Sequence, residues 1–148
     1  MRLPTKARYG MRAMLDLAMH NAENEPVLMR DVASRQGLSE KYLEQVLIPL
    51  RHAGLIKSVR GAKGGYLLAR GPAEISLLEI VEASIGDVSM VDCVEDPENC
   101  QRVDGCATYV VWKELAEAIK ASLESKTLSD LMVIEKGLRD ERAVMFHI

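Results

Sequence analysis

The chain has 148 residues, 48% hydrophobic and 28% charged, a globular composition that suits one small unit and excludes a wholly disordered chain. No apolar run approaches the roughly 18 residues needed to cross a bilayer, and no signal-peptide core follows the basic start, so the chain is expected in the cytosol with no membrane association. The net charge of −3 divides unevenly: residues 1–70 carry 12 Lys+Arg against 6 Asp+Glu, net +6, and residues 71–148 carry 7 against 16, net −9, as expected if one half meets a polyanion.

Apolar residues near a 3.6 spacing predict a helix over residues 6–20, with Ala7, Met11, Met14 and Ala18 on one face. A polar break from Asn21 to Pro26 precedes a short helix over 28–36, with Asp31 in its first turn and Gly37 at its end. Ser39 is the expected N-cap of a third helix running from Glu40 towards His52. Pro49 lies inside that helix and removes one backbone donor, which predicts a kink or break near Gln45.

The pattern then changes. Residues 55–59 and 66–69 are short β-compatible runs around Arg60-Gly61-Ala62-Lys63-Gly64-Gly65, a glycine-rich loop with two cations. Together they predict a β-hairpin with a basic tip. Helix, short helix, tight turn, helix and hairpin form the layout of a winged helix-turn-helix.

Ser76-Leu77-Leu78-Glu79 is a capping box ahead of a helix to about Ile85, closed by Gly86. Residues 87–106 show no usable period and hold all three cysteines. The longest helical pattern follows over 107–125, with Val111, Leu115, Ala118, Ile119, Ser122 and Leu123 in one stripe. Thr127 and Asp130 suggest a second cap and a short terminal helix, and residues 136–148 are expected to fray.

Two sets of residues carry chemistry. The first is the third helix with the hairpin tip: Lys41, Tyr42, Glu44, Gln45, Arg51, Arg60, Lys63 and Gly64. Glutamine can bond an adenine edge through both amide atoms, and glutamate can accept from a cytosine amino group. Lys41 suits a phosphate or a guanine, and Arg60 suits a narrow minor groove, where negative potential is focused. Glycines such as Gly64 would let the backbone approach a phosphate. The blander alternative is a solvated helix face and loop, or a helical module that docks another protein. No phosphate-loop or dinucleotide motif is present.

The second set is Cys93-x6-Cys100-x5-Cys106. Soft thiolates bind iron or zinc and suit iron–sulfur clusters, 2Fe–2S or 4Fe–4S. The spacing is not that of paired zinc knuckles, and three thiols leave a fourth ligand position open. A reversible disulfide between two of the three is the competing reading. The chain shows no nucleophile–base pair or carboxylate dyad that would suggest an enzyme.

Three segments carry a family resemblance: Met1-Arg2-Leu3 with Lys6-Ala7-Arg8-Tyr9-Gly10; Leu38-Ser39-Glu40-Lys41-Tyr42-Leu43-Glu44-Gln45; and residues 54–66, which contain Arg60-Gly61-Ala62-Lys63-Gly64-Gly65-Tyr66. Over residues 1 to about 132 the chain resembles the Rrf2 family of bacterial winged-helix regulators. The resemblance implies a mainly α fold with a small β-hairpin, a winged helix-turn-helix plus a long dimerisation helix. It implies a homodimer on a palindromic double-stranded DNA operator, with half-sites roughly 34–36 Å apart. It also implies base reading by Glu44 and Gln45, groove insertion by Arg60 and a cluster on Cys93, Cys100 and Cys106.

Cluster-binding members carry a histidine three residues after the last cysteine, where this chain has Tyr109, and relatives that sense nitric oxide use a carboxylate where it has Arg8, so the resemblance implies a cluster that senses iron, redox or nitric oxide status. The DNA-binding part, Pro49 included, also resembles a branch that represses cysteine metabolism through a partner enzyme, so a regulatory partner protein is the alternative. The implied organisation is a DNA-binding domain over 1–72, a linker helix and cysteine loop over 73–106, dimerisation and C-terminal helices over 107–135, and a flexible tail over 136–148.

Overall fold

A computed structural model describes residues 3–21 and 24–146. Met1 and Arg2 of the first family motif, and His147 and Ile148 of the expected tail, lie outside the described residues. Helix α1 spans Thr5–His20, α2 Met29–Gln36 and α3 Glu40–His52. Gly37 ends α2 at φ 66°, a left-handed conformation that a residue with a Cβ enters at a cost. The amides of Gly37 and Leu38 donate back to the carbonyls of the last turn, and Ser39 then opens α3 by accepting the Tyr42 amide at 3.2 Å. The sharp turn between α2 and α3 follows from these local bonds.

Strands β1 (Ile56–Val59) and β2 (Gly65–Leu68) pair antiparallel, Ile56 opposite Leu68 and Val59 opposite Gly65. Val27 exchanges two 2.9 Å backbone hydrogen bonds with Tyr66, so the segment before α2 forms a third edge of the wing. After a 3-10 turn at Pro72–Glu74, α4 spans Leu77–Ile85. Its capping box is complete: Ser76 Oγ accepts the Glu79 amide at 3.2 Å and Glu79 accepts the Ser76 amide at 2.9 Å. Helix α4 crosses α1 closely at Gly10, where an added Cβ would stand 2.3 Å from Ser84 Oγ.

The core joins α1, α2, α3, the wing, α4 and the start of the last helix. Met14 and Leu17 of α1 meet Leu43, Leu47 and Leu50 of α3, with Ile75, Ile80 and Leu128 closing the same cluster. The packing runs through residue 72, and Leu77 and Ile80 of α4 belong to the same cluster.

Three further expectations change. Helix α3 continues through Pro49 without a break. Proline there frees the Gln45 carbonyl, but Gln45 is exposed and water can take the bond, while Val46, Leu47 and Leu50 hold both sides of the site in the core. Residues 87–106 are not structureless: they form the one-turn helix α5 (Asp92–Glu95) and 3-10 turns at Pro97–Asn99 and Val103–Gly105. The charged C-terminal stretch does not fray from residue 136; α6 (Ala107–Glu124) is followed by α7, which runs from Leu128 to Phe146. Its Glu, Lys, Arg, Leu and Ala content favours a helix more than its charge opposes one.

The corner between α6 and α7 is tied to the start of α4. The Leu77 amide donates to the Lys126 carbonyl and the Leu128 amide to the Ile75 carbonyl, both at 2.9 Å. Ser76 Oγ donates to Glu124 at 2.9 Å. Among the described residues no helix is long and apolar enough to cross a membrane.

Candidate nucleic-acid interface and cysteine loop

Helix α3 turns Leu43, Val46, Leu47 and Leu50 inward, which leaves Lys41, Glu44, Gln45 and Arg51 exposed on its opposite side. Tyr42 is half-buried and meets Tyr9 of α1 edge to face, with ring centroids 5.8 Å apart. The guanidinium groups of Arg8 and Arg12 lie 5.8 and 5.2 Å from the Tyr9 ring centre. The N-terminal end of the recognition helix is thus braced by α1.

A second brace has no counterpart among the sequence motifs. Asp16 of α1 is buried, and its carboxylate accepts from Arg35 at 2.6, 3.0 and 3.1 Å and from Gln36 Nε2 at 2.8 Å. Arg12 Nε donates to Gln36 Oε1 at 2.9 Å. The Asp16 bond and charge raise the Arg35 pKa above its ordinary value against a smaller opposing effect of burial. The signal in the sequence is an acid between Met14 and Leu17 on the apolar face of a helix, since a buried carboxylate needs a partner.

The wing tip presents Arg60 and Lys63 to solvent, as expected. Gly64 is corrected. It is buried, its amide donates to the Gly61 carbonyl at 3.0 Å, and an added Cβ would stand 2.3 Å from the Val59 carbonyl oxygen. Its amide is spent closing the turn, so it is not free for a phosphate, and it serves the wing's shape.

Each cysteine sits at a bend of the loop. Cys93 is in α5, Cys100 follows the Pro97–Asn99 turn, and Cys106 follows the Val103–Gly105 turn at the N-cap position of α6, with no capping hydrogen bond from its side chain. All three are partly accessible free thiols. The Cys106 thiol is held below its usual pKa, first by a hydrogen bond with Thr108 Oγ1 at 3.1 Å, then by the Tyr109 amide, with smaller help from the Thr108 amide and Arg102. Burial opposes this weakly. A helix N-terminus favours a thiolate in the same way.

The donor chemistry fits an iron–sulfur group: three unpaired thiols, one already inclined to ionise. The geometry is less complete, since among the described residues no three His, Cys, Asp or Glu side chains converge as metal ligands. Tyr109, at the position matching the family's histidine, is half-buried.

Helix α6 divides its apolar residues between two faces. Ala116 is buried, and Ile119 and Leu123 pack with Ala7, Val81 and Val88 of the body. Lys120 pairs with Asp87 beside them. Val111 and Leu115 instead remain 58% and 40% exposed, continuing through exposed Ala118 and Ser122.

Comparison with known proteins gives a consistent result. Residues 3–133 match Rrf2, described as an iron-dependent transcriptional regulator. The chain is 43% identical to the HTH-type transcriptional regulator IscR of Xenorhabdus nematophila over 132 residues, 89% of this chain and 79% of that one. It is 39% identical to the HTH-type transcriptional regulator CymR of Bacillus subtilis over 148 residues, the whole of both chains. The solved structure of that CymR, described as the global cysteine regulator, superposes with a TM-score of 0.74 at 37% identity, over 90% of this chain and 98% of that one. IscR of T. potens superposes with a TM-score of 0.74 at 40% identity, over 91% and 88%.

Proposed function

The chain belongs to the Rrf2 family of DNA-binding transcription regulators, and on that premise we propose that it is a cytosolic homodimer whose operator affinity is set by an iron–sulfur cluster. It is a regulator and not an enzyme. Helix α3 lies in the major groove with Glu44 and Gln45 on base edges and Lys41 beside them. Tyr42 sets the angle of the helix through Tyr9. Arg51 and Lys63 meet phosphates, and Arg60 enters the minor groove. The Val111, Leu115, Ala118 and Ser122 face of α6 forms the dimer seam and spaces two recognition helices on one palindrome.

Cys93, Cys100 and Cys106 hold the cluster, 2Fe–2S or 4Fe–4S, with a fourth position filled from outside this trio. The cluster supplies a charge and an occupancy that respond to iron and redox state. The observation that carries this reading is the place of Cys106: the last cysteine of the loop is also the N-cap residue of α6, the helix proposed to bear the seam. A change in how the loop is held therefore acts on the first turn of α6. A coupling of about 1–3 kcal/mol between cluster and operator would change affinity several-fold to a hundredfold.

The test is anaerobic purification with a visible spectrum, iron and sulfide analysis, and operator titrations of loaded and stripped protein at one salt concentration. Charge-transfer bands that vanish in the triple Cys93/Cys100/Cys106→Ser variant, with unequal affinities of the two forms, are the expected result. Equal affinities would sink cluster control. A second reading, thiol or partner control, is favoured by the full-length alignment with the B. subtilis CymR and by the low pKa of the Cys106 thiol. It predicts colourless protein after reconstitution, with operator binding that changes on oxidation or with an added partner protein.

A further inference from the structure

The stripe by which α7 meets the body changes character along its length. It starts with Leu128 in the core and Leu131 packed against it, and continues one, two and three turns later, on the same side, with Glu135, Arg139 and Arg142. These line, with Arg12, Asp16 and Met19 of α1 and Arg35 of α2, a cleft of about 520 Å³. Leu15 and Met19 line the same cleft, so it is a mixed surface in which the guanidinium and carboxylate groups sit beside apolar side chains.

The charges in the gap do not cancel. Asp16 is matched by Arg35, and Glu135 by Arg139 at 2.7 Å. Arg12 has no carboxylate partner among the described residues: it donates to Gln36 Oε1 at 2.9 Å and the Gln36 carbonyl at 3.3 Å, and its guanidinium lies 5.2 Å from the Tyr9 ring centre. Arg142 has no carboxylate partner among the described residues. Two guanidinium groups are left over, one on each side of the cleft. Both guanidinium groups keep N–H donors that a doubly charged oxyanion in the cleft would take up in charge-assisted hydrogen bonds.

We propose that the cleft between α1, α2 and α7 is a binding site for a phosphate-class oxyanion, with Arg12 and Arg142 as its two jaws. Occupancy clamps α7 onto the helix-turn-helix. The phosphate comes either from the DNA backbone beside the recognition helix or from a free phosphorylated molecule. The site uses no cysteine and stands apart from cluster control.

The probe is inorganic phosphate, added to the full-length protein against chloride at matched ionic strength, with Tm as the first readout. Phosphate stabilises most proteins non-specifically by exclusion from their surface, so the comparison is between variants. The wild type should show an additional, saturating rise in Tm. Arg142→Gln should lose the saturating part, and Arg142→Lys should recover most of it. Arg142 is exposed on α7, so neither change touches the core.

The salt dependence of duplex binding then separates the sources. If the cleft takes a DNA phosphate, Arg142→Gln flattens the slope of log affinity against log salt by about 0.9 for each phosphate no longer neutralised. If it takes a free phosphorylated molecule, the slope is unchanged. A saturating phosphate response that is absent from the wild type, or kept in full by Arg142→Gln, overturns the site whichever slope is found.

Discussion

The DNA-reading body and the α6–α7 arm handle their apolar and charged groups in opposite ways. In the body Met14, Leu43, Leu47 and Leu50 are fully enclosed, and even the buried acid Asp16 has its bonds satisfied by Arg35 and Gln36. Along the arm Val111, Leu115, Ile134 and Leu138 stand 58%, 40%, 51% and 46% exposed. A single chain completes the first region and leaves the second with apolar surface that only another contact would cover. The DNA reader is therefore shaped within one protomer, whereas the arm is shaped for coupling.

The same truncation made in both regions puts that contrast at risk. Leu47→Ala should lower the unfolding free energy by about 2–5 kcal/mol, from lost transfer energy and a cavity that cannot collapse. Leu115→Ala, measured by urea denaturation of dissociated protomers, should stay within about 0.5 kcal/mol. Equal costs would mean that the Leu115 face of α6 is also packed within its own chain. A charge at the seam tests the arm from the other side. Leu115→Asp should shift sedimentation from dimer to monomer and weaken operator binding by at least about 2 kcal/mol, the scale of an interface hot spot. A variant that still sediments as a dimer would move the seam off this face.

Gln45→Ala comes next. It should cost about 1–3 kcal/mol at one base pair and little elsewhere. Binding measured on a set of single-base operator variants distinguishes this from a uniform loss, which would place Gln45 on the phosphate backbone. The proposed role rests on its position: it lies on the exposed side of α3, opposite Leu43 and Leu47.

The features readable from the sequence are those made by neighbours in the chain. Ser39, Ser76 with Glu79, and Thr127 with Asp130 all cap helices as their spacing indicates, because each bond closes within three residues. Gly37 and the wing glycines are equally local. The Asp16 brace is hidden because its partners lie 19 and 20 residues away, on a helix whose docking no local pattern encodes. Pro49 misleads because its effect depends on whether the Gln45 carbonyl faces water, a property of the packed helix. Gly64 stands out in the sequence for the wrong reason: the sequence shows that a side chain is absent, and only the fold shows the Val59 carbonyl that would meet one. The cysteine loop is the converse case, with clear donor chemistry in the sequence and no convergence of ligands among the described side chains.

The smallest effect concerns the joint between the two regions. Glu79 closes the capping box at the start of α4, beside the Ser76 hydroxyl that also reaches Glu124 of α6. Partial burial pushes the Glu79 carboxyl up, but hydrogen bonds from Arg70 and Ser76 and the Arg70 charge outweigh it and hold the group below its ordinary value of 4.5. A carboxylate depressed by folding adds stability that is full above the unfolded pKa and is lost as pH falls through the folded one. Wild-type unfolding free energy should therefore drop faster than that of Glu79→Gln as pH is lowered below about 4.5. The difference should stay within about 1 kcal/mol, because both partners of the Arg70 pair are about 40% exposed and water screens them. An identical drop in the two proteins would shift the acid sensitivity to another depressed carboxylate, with Asp130 of the Thr127 cap the first to examine, and would leave the α4 joint indifferent to pH.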